Sequence, residues 1–161
     1  ASVWNSLEGL DDRFFAHMEE IDLCWRMQLE GWKVTVVPES TVYHLGGGTL
    51  PKNSPQKLYL NYRNNILLLD NNLARTIGRR KAALRVFCRK ILDGCSAMVY
   101  LLSFRMDFFK AVWRAHRDAS RLIAEKQPGN DAAHGHGRHN VAGLYDGCMI
   151  PRALLGIKCI K

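Results

Sequence analysis

Trp32-Lys33-Val34-Thr35-Val36-Val37 alternates β-branched with other side chains and stops at Pro38. That pattern predicts a strand. Ser40-Thr41-Val42-Tyr43-His44 follows at once and reads as a second short strand. Leu45 to Asn53 (LGGGTLPKN) is then a glycine-rich loop whose bare backbone can approach or cover a ligand. Just upstream, Glu19 to Glu30 reads as a helix. Ile21, Cys24, Trp25, Gln28 and Leu29 fall on one mostly apolar face, and Gly31 stands where a helix C′ residue belongs. Asp22 and Arg26 form an i,i+4 pair expected on the outer face. A helix feeding two strands gives the first part of the chain an α/β reading.

Further upstream, Ser2 can cap a short helix that Gly9 ends, and Phe14-Phe15 reads as a buried anchor. Downstream, the pattern turns helical from Pro55, with Tyr59, Tyr62, Asn65, Ile66 and Leu69 along one stripe and a turn expected around Asn71-Asn72. From Leu84 to Leu102 a 3.6-residue apolar period holds, with basic Lys81, Arg85 and Arg89 opposite. A last helix is expected over about 106–126. Its apolar side is Phe109, Val112, Trp113 and Ile123, and its polar side is Lys110, Arg114, Arg117 and Arg121. Gln127 to Asn140 reads as a loop, and 141–161 as a tail with no assigned element. His134, His136 and His139 in that loop lack the cysteines or carboxylates that would complete a metal site, so a solvated loop is the reading.

The composition is globular: 161 residues, 47% hydrophobic, net charge +8. The charge is uneven. Residues 1–50 hold 3 basic and 8 acidic side chains, while the rest of the chain carries 20 basic and 7 acidic. An acidic region is thus joined to a basic surface suited to an anionic partner. The five cysteines (Cys24, Cys88, Cys95, Cys148 and Cys159) form no CxxC pair and read as free thiols in a reducing compartment. No uncharged run is long enough to cross a bilayer. The first residues lack the basic start and apolar run of a signal peptide, and no initiator Met stands at position 1, so a fragment is expected.

Three motifs occur in order: GLDDRFFAHMEEIDLCWR over 9–26, GWKVTVVPE over 31–39, and VYHLGGGT over 42–49. Together they resemble the C-terminal half of the catalytic domain of family-two glycosyltransferases, especially rhamnosyltransferase-type members that decorate bacterial surface polysaccharides. The resemblance covers about residues 1–70 and is looser beyond. It implies the acceptor-side part of a GT-A catalytic domain over 1–70, a basic amphipathic helical extension over 71–126, and a linker and tail over 127–161. The fold class expected is therefore α/β followed by helices.

The resemblance also implies roles. Inverting glycosyl transfer needs a base that takes the proton from an acceptor hydroxyl. The matching position is Glu20, where the family has Asp. Glu19 and Asp22 would bind the acceptor. His44 would help hold a divalent metal, Mn²⁺ or Mg²⁺, that grips the diphosphate of a nucleotide-sugar donor. Arg63, in KLYLNYRNNILLL, would support the donor side or lock the loop. The bland alternative is that Glu19, Glu20 and Asp22 complement the helix dipole and pair with Arg26, and that His44 is a structural histidine. The family's Asp-x-Asp donor motif is missing before His44, so this portion alone is expected to be inactive. The implied partners are a nucleotide-diphosphate sugar and a glycan or lipid-linked acceptor, which places the enzyme in the cytoplasm, if anywhere peripheral to the inner face of the plasma membrane. The competing class is a non-enzymatic basic helical module on an anionic membrane surface or nucleic acid. Nucleic acid is the weaker partner, since no DNA- or RNA-binding motif accompanies the charge.

Overall fold

The computed structural model describes residues 2–43, 51, 53–125 and 141. Among the described residues five α-helices run in order: α1 Ser2–Ser6, α2 Glu19–Leu29, α3 Pro55–Ile77, α4 Arg79–Leu102 and α5 Met106–Ala124, with a 3-10 turn at Asp12–Phe14 before α2.

Local chemistry accounts for the boundaries. Asp11 caps the 3-10 turn by accepting from the Arg13 amide. α2 ends on Gly31 at φ +83°, where the Trp32 N–H donates to Met27 and the Gly31 N–H to Gln28. This pair of bonds satisfies the last carbonyls, and the left-handed backbone suits glycine. α3 opens on Ser54, whose hydroxyl accepts from the Lys57 amide, with Pro55 in the first turn. Gly78 (φ 87°, ψ 151°) ends α3 and starts α4 with no loop between them. α4 ends on a bond from the Arg105 N–H to Tyr100 O that places Phe104 at φ +55°, a position where a side chain costs energy.

α3, α4 and α5 pack as a three-helix bundle, and α2 lies against α3. Phe14, Trp25, Leu29, Leu67, Leu68, Leu73 and Ala82 form one core where the acidic region meets α3. Tyr59 and Leu60 of α3 form a second core with Ala111 and Ala115 of α5, whose small side chains let the helices approach closely. Cys24, Cys88 and Cys95 are free thiols, as the spacing implies.

The α/β expectation is overturned. Among the described residues the fold is a helical bundle with no strand. Residues 32–43 run as exposed chain without regular secondary structure, with a turn at Val37–Ser40. Val36, Val42 and Tyr43 are each more than four-fifths exposed. Alternation supplies a strand with a face, but a strand also needs a partner ladder to take its amides and carbonyls. None of the described residues provides one.

Three smaller expectations also change. α3 continues through Asn71-Asn72, because both amides bond inward rather than to a turn. Asp22 points inward, fully buried, while Ile21 is about half exposed. Trp113 stands out from α5 in solvent, and the buried face of that helix is instead Ala111, Val112, Ala115 and Ala119.

Candidate functional site

The segment just before α2 is wound unusually. Phe15, His17 and Met18 have φ of 63°, 70° and 73°, and none is glycine. Each such residue costs on the order of 1–3 kcal/mol and persists only where its surroundings hold it. Here the holding groups are Arg63 and Asn64 of α3. Arg63 Nη2 donates to Arg13 O (3.0 Å) and Phe14 O (2.7 Å). Asn64, fully buried, donates through Nδ2 to Phe14 O, Ala16 O and His17 O at 3.0, 2.6 and 2.7 Å. Arg63 Nε in turn donates to Asn64 Oδ1 (2.9 Å), which fixes the amide's orientation.

This winding delivers Glu19 and Glu20 to the first turn of α2, where free amides favour negative charge. Met18, the residue before them, supplies no side-chain cap. Glu20 is exposed. Glu19 is partly buried, and its Oε2 is enclosed without a hydrogen-bond partner. His17 Nε2 and Asn65 Oδ1 are enclosed and unpartnered as well. Buried polar atoms of this kind are costly unless something satisfies them.

Asp22 is placed differently. Its Oδ2 accepts from Arg26 Nε (2.6 Å), and its Oδ1 accepts from Asn71 and Asn72 at 3.1 and 2.7 Å. Arg26 also donates to Leu7 O and Gly9 O. Asp11 joins the same network through Arg13 and Asn71. Burial raises the Asp11 pKa, but the bonds and charge of Arg13, with Asn71, outweigh it and hold the carboxyl below its ordinary range. Asp22 is therefore an anchor of α2, enclosed beneath the acid pair rather than presented beside it.

Arg63 is committed to the turn's carbonyls, and it also lies over the Tyr59 ring at 5.4 Å. Arg114 of α5 covers that ring as well, at 4.2 Å. Tyr59 thus links the clamp to an open cleft of about 640 Å³ between the start of α3 and α5, lined by Ser54, Gln56, Lys110, Arg114 and Arg117. Sequence periodicity places these bases on the polar side of α5 but gives no sign of a concavity. Asn64 is likewise invisible from sequence as the central clamp, although its neighbour Arg63 is among the residues the resemblance marks.

His44, the expected metal ligand, and Gly46-Gly47-Gly48 lie outside the described residues. Among the described residues no three His, Cys, Asp or Glu side chains could together hold a metal ion.

These features define a helical bundle with a strained, clamped turn that sets two carboxylates at a helix start. Comparison with protein-family models, with characterised proteins and with solved structures finds no match. No helix among the described residues is long and apolar enough to cross a membrane.

Proposed function

We propose that the start of α2 is the acceptor side of an inverting glycosyltransferase that uses a nucleotide-diphosphate sugar. The carrying observation is the strained turn, with Phe15, His17 and Met18 wound left-handed and locked by Arg63 and Asn64 immediately before the acid pair. Strain of this density is kept where a precise side-chain position matters more than local stability. It stands within the motif that resembles the family, and the resemblance assigns the residues their roles.

Glu20 removes the proton from the acceptor hydroxyl as that oxygen attacks the anomeric carbon. The bond from that carbon to the diphosphate oxygen breaks, and the nucleotide diphosphate leaves. Glu19 orients the acceptor, a role that rests on the resemblance. Asp22 acts through position, holding α2 in register, and Arg63 holds the turn. The resemblance implies that His44 would help hold a divalent ion, which would neutralise charge on the departing donor diphosphate. A lipid-linked acceptor would keep the enzyme peripheral to the inner face of the plasma membrane.

The test is sugar transfer by the intact enzyme that contains this chain, with excess Mn²⁺ or Mg²⁺, comparing Glu20→Gln with the parent. Loss of a positioned general base lowers the rate by about 10²–10⁴-fold. Donor binding, measured separately, is expected to stay unchanged. Parental transfer rates in Glu20→Gln would overturn the assignment.

A further inference from the structure

α4 is packed with its apolar stripe facing away from the bundle. The side it buries is Ala82, Asp93 and Ala97, with Ser96 receiving a hydrogen bond from Tyr62. The opposite side carries Leu84, Phe87, Ile91, Met98, Val99 and Leu102, each half-exposed or more. At 3.6 residues per turn these positions form one continuous stripe about 27 Å long. It ends at Phe104, 92% exposed and held at positive φ. A monomeric soluble surface rarely carries so long an apolar face without something to cover it.

Charge selects what covers it. Arg80, Lys81 and Lys90 are exposed on the same helix, while its single acid, Asp93, is buried on the far side between Arg89 and His116. An apolar stripe bordered by bases and no exposed acid matches an anionic phospholipid surface, with acyl chains meeting the stripe and phosphates meeting the bases. A second copy of this chain fits less well, since face-to-face pairing would bring the two sets of bases together. The helix is not apolar enough to span, so it would lie along the surface.

We propose that the outer face of α4 docks on an anionic phospholipid bilayer, with α4 parallel to the membrane plane and Phe104 entering the interface. The surface does not depend on the transferase reading, and its test uses no sugar donor.

The experiment is co-sedimentation of the chain with vesicles of phosphatidylcholine alone and of equimolar phosphatidylcholine and phosphatidylglycerol, at low and high salt. Binding is expected only to the anionic vesicles and is expected to weaken with salt. Arg80→Gln/Lys81→Gln/Lys90→Gln removes three exposed bases and is expected to lower the affinity by roughly a hundredfold with helical content unchanged. Phe87→Gln/Ile91→Gln/Leu102→Gln is expected to lower it by at least about tenfold with helical content unchanged. Absence of binding to anionic vesicles, equal binding to neutral ones, or unchanged binding in the charge variant would each overturn the proposal. So would a dimer in sedimentation velocity that the apolar variant dissociates while no vesicle binds, because the face would then belong to a second copy.

Discussion

α2 and α4 depart from the ordinary amphipathic helix in opposite directions. α2 turns a carboxylate inward: Asp22 has no exposed surface and is surrounded by Arg26, Asn71 and Asn72. α4 turns its apolar stripe outward and buries alanines and an aspartate. α5 shows the usual arrangement in the same bundle, with Ala111, Val112, Ala115 and Ala119 inside and bases outside. The two exceptions differ in what completes them. Asp22 finds its partners within the chain, so its cost is met locally. The α4 stripe finds none among the described residues, and the bilayer proposed above would complete it. An inverted helix face is thus a stability feature in one place and a binding feature in the other.

The strongest way to break this contrast is Asp22→Ala. It leaves the Arg26 guanidinium and two asparagine amides without their carboxylate in a buried site, and removing one member of such a pair costs about 3–5 kcal/mol. Urea unfolding of the variant checks it. A loss near the level of a surface substitution would mean that the buried network does not hold α2.

Acid gives a gentler probe of the same side. The Asp11 carboxyl is held below its ordinary range by Arg13 and Asn71, although burial acts against it. Its folded-state pKa is depressed, so its contribution is full above the unfolded value of about 4 and is lost as pH falls through the lower folded value. Melting temperature followed from neutral pH into that window is expected to fall more steeply for the parent than for Asp11→Asn. Parallel curves would show that the ion pair contributes nothing to folding.

The smallest effect is expected on α4. Ile91→Ser removes an apolar side chain that is half in solvent, and it is expected to change stability by no more than about 0.5 kcal/mol. Denaturant midpoints check it. A loss of several times that figure would mean that the stripe is covered within the chain.

The ends of α2 and the start of α3 were legible because their signals are local: Glu19, Gly31 and Pro55 each act within one turn of themselves, whereas the α3–α4 break at Gly78 was not read. The strand reading of Trp32–Val37 failed because alternation says nothing about a partner ladder. The turn expected at Asn71-Asn72 failed for a related reason: asparagine favours turns through its own backbone, yet these two side chains bond to Asp11 and Asp22, some fifty residues or more away. Periodicity also located the α4 stripe correctly, but a period does not say which side of a helix meets the bundle. At the candidate site, the acid pair at the start of α2 and the residue Arg63 could be picked out from the motif, but not that Arg63 and Asn64 clamp the turn before α2. The left-handed winding of Phe15, His17 and Met18 could not, because Phe and Met do not signal positive φ and a single His is too weak a signal.

Gly78 carries a consequence for the whole outer face of α4. It is the sole residue between two long helices, so its torsions, together with the packing of α4 on α3 and α5, set the direction in which α4 departs from α3. α4 has 24 residues and is about 36 Å long, and a rotation of about ten degrees at its base would sweep the far end through roughly 6 Å. Gly78 is the fulcrum of a lever whose far end is Phe104. The depth at which that ring stands is decided at the opposite end of the helix.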